Sequence, residues 1–159
     1  MAWKTEITML LRNLIGDVDD SNPTYSDDRL YEAILSSAQL TQDVMDFDNT
    51  YTIDIDQCTL TPDPTTGTKD NSFINLVALK AACVMLRSEA KTAALKAVNF
   101  VDGPSKIDGR GPAEGIKALA NSACEMYEDA KNEFKSGDGS SGGAIVSPYN
   151  VYNYGGYYN

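Results

Sequence analysis

The fourteen residues from Phe73 to Leu86 constrain the fold of this chain more than any other segment. Twelve of them are apolar, and only Asn75 and Lys80 interrupt the run. A helical pattern extends around them over about residues 71–98. A helix that is apolar nearly all round must be surrounded by other elements. The run is also too short to cross a bilayer. We therefore expect a helical domain built around this segment, with no membrane partner.

Two amphipathic helices are predicted before it. The first is predicted within residues 2–17, where apolar side chains recur at helical spacing and Gly16 provides a stop. The second begins after Ser26, a favourable N-cap, with Tyr25 placed to pack on Leu30. The predicted buried positions are Trp3, Ile7, Leu10, Leu11, Leu14 and Ile15 in the first helix and Leu30, Tyr31, Ile34, Leu35, Ala38 and Met45 in the second. Trp3 has the alternative role of a partner anchor, although the apolar stripe favours the core.

A fourth helix is predicted over residues 113–135, with Pro112 in its first turn and Gly137 at its end. Its predicted buried stripe is Ile116, Leu119, Ala120, Ala123, Tyr127, Ala130 and Phe134. The glycine-rich segment 99–112 is expected to be a connection between helices. It matches no phosphate-binding motif, so we expect Lys106 and Arg110 to contact an acidic neighbouring subunit.

Between the second and third helices the period changes to two. Tyr51, Ile53 and Ile55 alternate with polar residues, and Pro62 ends the pattern. One or two short strands, or a hairpin, are predicted. Because an isolated hairpin is only marginally stable, it must lie on the helices or on a neighbouring subunit. The three apolar residues are accordingly candidates for contacts between subunits.

The predicted fold is thus mainly α: a four-helix bundle-like domain with a small β-hairpin or strand insertion over residues 1–136, and an extended C-terminal tail over residues 137–159. The tail is short of charge and rich in tyrosine, unlike most disordered tails. Its strand-forming residues suit addition to a sheet edge of a partner. The candidate partner-binding residues are Ile145, Val146, Tyr149, Tyr152, Tyr154, Tyr157 and Tyr158. The alternative is a disordered end without a defined target.

No catalytic, cofactor or metal site is predicted, and we expect the protein not to be an enzyme. The chain has no histidine, which removes the commonest general base and zinc ligand. Its three cysteines are far apart and odd in number, so we expect reduced thiols. Asp54 and Asp56 have no catalytic companion.

The alternative is a calcium-binding loop over residues 17–28. Asp17, Asp19, Ser21 and Asp28 match EF-hand offsets. Asn22, however, stands where that loop needs glycine.

The charge of the chain is −10 and unevenly placed. Residues 17–63 contain twelve carboxylates and a single basic residue, Arg29. Such a surface repels nucleic acid, since binding to phosphates depends on lysine and arginine. It suits a wall along which DNA slides without sticking, or simply a well-solvated surface.

Three stretches carry a family resemblance: "WKTEITMLLRNLIGD", "YSDDRLYEAILSSAQL" and "FVDGPSKIDGRGPAEGIKALANSACEMYEDA". Together they make residues 3–135 similar to phage head–tail connector proteins, also called head-completion or adaptor proteins. The resemblance implies a homo-oligomeric ring, commonly twelve-fold, between the portal protein and the tail or a second neck protein. DNA would pass nearby without specific binding.

The same resemblance implies a location at the capsid vertex of the virion, after assembly in the host cytoplasm. It also implies a C-terminus that reaches along the portal, although a Gly- and Tyr-rich end departs from the family pattern. The alternative function is a small cytoplasmic helical protein-binding or scaffold module.

Overall fold

The computed structural model describes residues 2–19, 21–96, 100–102, 105–107 and 110–139. Within them the chain forms four helices, α1 (Ala2–Ile15), α2 (Asp27–Gln42), α3 (Asn71–Lys96) and α4 (Arg110–Gly139). Two antiparallel hairpins join them, β1 (Thr52–Asp54) with β2 (Thr59–Thr61) and β3 (Phe100–Asp102) with β4 (Ser105–Ile107). The predicted mainly α class, with four helices and a small β insertion, is confirmed. No helix in these ranges has the length and apolarity needed to span a membrane.

The third helix is the centre of the core, as its composition predicts. It contacts each of the other three helices. Its buried residues begin at Phe73 and end at Leu86, and the last ten residues of the helix contribute none. The first half of α3 is therefore enclosed by α1, α2 and α4, whereas its second half has fewer neighbours.

Local signals in the sequence correctly predicted the first two helices. Gly16 has a φ of 78°, a left-handed conformation that favours glycine and ends α1. The Ser26 hydroxyl accepts a hydrogen bond from the Arg29 amide at 3.4 Å, which caps α2. Trp3 is fully buried and packs edge-on against Tyr31. The prediction of a core role for Trp3 is confirmed.

The β1–β2 hairpin lies on the helices of its own chain. Ile53 pairs with Leu60 at the middle of the register. Tyr51, just before β1, and Leu60 are both buried in the main hydrophobic cluster. The hairpin thus gains from the core the stability that an isolated pair of strands lacks.

The segment 99–112 differs from the prediction of a plain connection. Val101 pairs with Lys106 in the β3–β4 hairpin, and the two strands are separated by two residues. The two intervening residues in the sequence are a glycine and a proline, both turn-forming types, and the sequence reasoning assigned them only to a connection between helices. The last helix begins at Arg110 rather than after Pro112. It also continues through Gly137 to Gly139, because one glycine lowers helix propensity without ending a helix.

The expectation of reduced cysteines is wrong for two of the three. A disulfide bond joins Cys83 of α3 to Cys124 of α4, whose Cα atoms lie 4.7 Å apart. Cys58 is free. Forty-one residues separate the bonded pair in the sequence, so their proximity depends on how α3 and α4 pack.

Three leucines predicted to be buried are instead at the surface. Leu10 and Leu14 of α1 and Leu119 of α4 are exposed. The core takes Trp3, Ile7 and Leu11 from α1, and Ala120, Cys124 and Tyr127 from α4. The stripe that each helix turns toward α3 is therefore narrower than the apolar pattern of the sequence.

Candidate interaction surfaces

The acidic residues of the chain concentrate in the segment 17–63, which contains the α1–α2 loop, α2 and the β1–β2 hairpin. We call it the acidic segment. Within this segment Asp17 is buried. Its carboxylate contacts the Arg12 guanidinium and accepts a hydrogen bond from the Thr24 amide at 2.7 Å. Arg12 also bonds to Asp27. The exposed carboxylates of this segment are Asp19, Asp27, Asp28, Glu32, Asp43, Asp46, Asp48, Asp54 and Asp56. Most of them make no ion pair within the described residues, so the acidic segment repels polyanions.

The engagement of Asp17 argues against a calcium loop. A calcium ligand must direct its oxygen atoms into the loop, whereas those of Asp17 are bound by an arginine and a backbone amide. No group of three or more His, Cys, Asp or Glu side chains is suitably placed for a metal ion in the part of the chain that the structure describes.

A groove of about 1050 Å³ lies between the α2–β1 segment, the loop before α3 and the end of α4. We call it the aromatic groove. Phe47 contacts both Phe73 and Phe134, with ring centroids 5.2 Å apart in each pair. Four aspartates, Asp46, Asp48, Asp63 and Asp70, surround these rings. The groove combines an aromatic floor with an acidic rim.

Tyr51 anchors this groove. Its ring stacks on Phe73 at 3.9 Å, and its hydroxyl donates to Asp70 Oδ2 at 2.8 Å. Burial, reinforced by Asp70, raises the pKa of the Tyr51 phenol. The Gln42 side chain bonds to both the amide and the carbonyl of Tyr51. Tyr51 therefore fixes the base of the β1–β2 hairpin in one position.

Asp63 joins the rim of the aromatic groove to the first helix. Its carboxylate accepts hydrogen bonds from the Trp3 amide at 3.2 Å and from the hydroxyl and amide of Thr65. Burial alone would raise the pKa of Asp63, but the hydrogen bonds from Thr65 and from the start of α1 outweigh it and lower the pKa. Asp63 thus caps α1 from a distant part of the chain.

A second groove, of about 290 Å³, lies between the end of α1 and the α3–α4 pair. We call it the apolar groove, since none of its lining residues is charged. Three exposed side chains border it: Leu14 at 36%, Leu119 at 62% and Met126 at 50% relative exposure. Two of these belong to the stripes that the sequence predicts to be buried. Here an apolar surface suited to a core is open to water.

A third groove, of about 570 Å³, lies between the second half of α3 and the first half of α4. We call it the basic groove. Its floor consists of alanines from both helices: Ala90, Ala94, Ala113 and Ala120. Arg87, Lys91 and Lys117 stand around this floor with a single acidic residue, Glu114. Its charge is opposite to that of the acidic segment.

The structure separates the residues predicted to contact other subunits. Tyr51 is buried within its own chain, Ile53 is half-buried and Ile55 is 40% exposed at the hairpin tip. Lys106 lies in β4 and Arg110 is the first residue of α4, where only the backbone is described. The tail residues lie outside the described residues: Ile145, Val146, Tyr149, Tyr152, Tyr154, Tyr157 and Tyr158.

The sequence reasoning missed the basic groove. Its cations are spread over thirty residues, and the acidic total of the chain conceals them. The signal was nevertheless present, because Arg87 and Lys91 are four apart and share one face of α3. The alanines in the second half of α3 and in the first half of α4 also indicate that the two helices approach closely there.

The chain was compared with protein-family models, with curated proteins and with solved structures, and none of the three comparisons found a match.

Proposed function

We propose that this chain is a structural protein of a virus particle, an adaptor that forms a ring between portal and tail. In this role it extends the DNA channel and docks tail components at the capsid vertex. The resemblance of residues 3–135 to head–tail connector proteins suggests the role. A mainly helical body with a β-hairpin is compatible with it.

The observation that carries the proposal is the apolar groove. Leu14, Leu119 and Met126 expose apolar surface along one continuous groove between three helices. A chain that acts alone gains nothing from such a groove, whereas an assembled subunit buries it against a neighbour. Ring assembly would supply the burial that the single body leaves unfinished.

The acidic segment favours the passage of DNA. Asp19, Asp43 and Asp48 are among its exposed carboxylates that make no ion pair within the described residues. Repeated around a ring, these carboxylates would present negative charge to the DNA backbone. Like charge lowers adhesion, so DNA would move through without being held.

We further propose that residues 140–159 bind the portal or a neighbouring subunit. The helix α4 reaches Gly139, and Phe134 and Gly137 near its end line the aromatic groove. The end of α4 therefore lies beside a concave surface lined by half-buried aromatic rings. A Tyr-rich segment attached there is well placed to engage a partner at low entropic cost.

A mass measurement tests the adaptor function. The purified chain should form a ring, either alone or when mixed with the portal protein of the same virus. The double variant Leu119→Gln/Met126→Gln should reduce this assembly by more than about tenfold, because it places amides in a surface that a neighbour covers. The matched control is Leu40→Gln, an exposed leucine of α2 outside the apolar groove. A chain that stays monomeric with the portal present would overturn the proposal.

The aromatic groove favours a second function, a small helical module that binds a segment of another protein. Its size and its half-buried Phe47 and Phe134, which line it, suit an extended peptide. In that case the chain remains a monomer and forms a one-to-one complex. The same mass measurement separates the two functions.

A further inference from the structure

We propose that the basic groove receives the tip of the β1–β2 hairpin from a second copy of this chain. The tip is the segment Asp54–Ile55–Asp56. The contact specifies which surfaces join neighbouring subunits. The contact itself is argued from the two surfaces, and only its closure into a ring rests on the proposed function.

The tip has the form of a ligand. Asp54, Ile55 and Asp56 are all exposed, so an aliphatic side chain stands between two carboxylates at the end of the hairpin. The turn is fixed by its own hydrogen bonds, because Asp54 Oδ1 accepts from the Gln57 amide at 2.9 Å and the Ile55 carbonyl accepts from the Cys58 amide at 3.2 Å. A segment held in one conformation loses little freedom when it binds.

The basic groove has the complementary form. Its alanine floor offers a shallow apolar surface between two helices, which suits one aliphatic side chain. Arg87, Lys91 and Lys117 stand beside that floor and are all exposed. None of the three makes an ion pair with another residue in the described ranges. They are thus available to the carboxylates of a partner.

Charge selects this groove over the other concave surfaces described above. The aromatic groove has four aspartates on its rim and a single lysine, Lys69, which is already bound to Glu6, so the groove would repel the tip. The apolar groove has no charged residue with which Asp54 and Asp56 could pair. Beside the basic groove, Glu125, Glu128 and Asp129 form an acidic patch on α4. That patch disfavours a shifted position of the tip, since like charges at an interface are costly.

The positions of the two surfaces require the contact to be between chains. The hairpin base lies at the first turn of α3, where Tyr51 stacks on Phe73. Lys91 is eighteen residues further along that helix, or about 27 Å at the rise of an α-helix. The tip extends only about 13 Å beyond Tyr51, at the rise of a strand. The hairpin therefore cannot reach the groove of its own chain. Two different surfaces at opposite ends of α3 give a head-to-tail contact, which generates a ring when it closes.

A charge swap tests the contact. The tip variant is Asp54→Lys/Asp56→Lys and the groove variant is Lys91→Glu/Lys117→Glu. Each places like charges in the proposed contact, so each alone should weaken self-association by more than about tenfold. An equal mixture of the two variants should assemble again, because every contact in an alternating ring then joins opposite charges.

The control variant Asp28→Lys/Asp43→Lys makes the same change in net charge away from the tip and from the three grooves. It should assemble like the unchanged chain. All substituted residues are exposed, and equal thermal midpoints would verify that the variants fold. Sedimentation velocity provides the measurement. It is run in two conditions: on the chain alone at the highest concentration that the protein tolerates, and with portal protein present.

The outcomes are separable. If the tip and groove variants assemble as well as the control, or if their mixture fails to assemble, the hairpin contact is wrong. It is also wrong if the unchanged chain stays monomeric in both conditions. Self-association that follows the charge pairing without any attachment to the portal would uphold the contact and overturn the adaptor function. If every variant forms a ring on the portal regardless of the charge swap, the adaptor function is upheld and the hairpin contact is overturned.

Discussion

The ring of Tyr51 stacks on the ring of Phe73 with centroids 3.9 Å apart, which joins the start of the β-hairpin to the first turn of α3. The Tyr51 hydroxyl donates to Asp70, and the second oxygen of Asp70 accepts from the Phe73 amide at 3.0 Å. Stacking, a side-chain hydrogen bond and a helix cap therefore meet at one place. The orientation of the hairpin depends on this unit.

Replacing the Tyr51 hydroxyl should be measurable as a loss of stability. Tyr51→Phe keeps the stacked ring but removes the hydrogen bond, and the free energy of unfolding should fall by about 1 kcal/mol. Denaturant titration measures the change. Tyr31→Phe is the matched control, since the Tyr31 hydroxyl donates no hydrogen bond within the described residues. An equal loss in both variants would contradict the role of Asp70.

The stability difference between the unchanged chain and Tyr51→Phe should also depend on pH in the alkaline range. Burial raises the pKa of Tyr51 in the folded state above its ordinary value of 10.0. The neutral phenol then favours the folded state, and this contribution is present below pH 10.0 and lost as the pH rises through the folded pKa. The stability advantage of the unchanged chain over Tyr51→Phe should shrink above pH 10.0. A difference that grows there would contradict the assignment.

The disulfide should contribute strongly to stability. The double variant Cys83→Ser/Cys124→Ser should lower the free energy of unfolding by about 2–4 kcal/mol, because the bond closes a long loop. Unfolding with and without reductant measures it: the unchanged chain should lose stability in reductant, and the double variant should not respond. Cys58→Ser is the control and should retain the response to reductant. A chain indifferent to reductant would show that the bond is absent.

Asp63 should make stability depend on acid. Its pKa is lowered in the folded state, so its contribution is present above the ordinary value of 3.8 and is lost as the pH falls through the folded pKa. Asp63→Asn should cost about 1 kcal/mol at neutral pH, because the amide is a weaker cap for α1. The difference from the unchanged chain should narrow below pH 3.8. Asp48→Asn, on the same groove, is the control. A cost that is constant with pH would contradict the prediction.

Arg12 should be needed to keep Asp17 buried. Arg12→Leu leaves a buried carboxylate without its charged partner, and the free energy of unfolding should fall by about 3 kcal/mol. The double variant Arg12→Leu/Asp17→Asn should recover part of this loss, since the buried charge is then gone. Arg29→Leu is the control, because its ion pair with Glu32 is exposed and worth little. A double variant no better than the single one would contradict the pairing.

Local sequence chemistry was enough to predict the helices and the first hairpin. Ser26 and Gly16 act on their own neighbourhood, so their effects need no knowledge of the rest of the chain. The change of period at Tyr51 was equally informative, because strands alternate and helices do not. The apolar run from Phe73 identified the centre of the core, because a helix that is apolar nearly all round must be enclosed by other elements.

Contacts between distant segments could not be predicted in this way. Which side of the α4 stripe faces α3 depends on packing, and the structure selects Tyr127 and Cys124 while leaving Leu119 outside. The bond between Cys83 and Cys124 follows from that choice. The basic groove likewise exists only after Arg87 and Lys117, from two helices, are brought to one end of the bundle.

The covalent link between the third and fourth helices also affects how the chain responds to proteases. A backbone cut anywhere between Cys83 and Cys124, including the segment with the second hairpin, leaves both fragments attached through sulfur. Such a nicked molecule keeps its full mass on a non-reducing gel. Only a reducing gel would separate it into two bands.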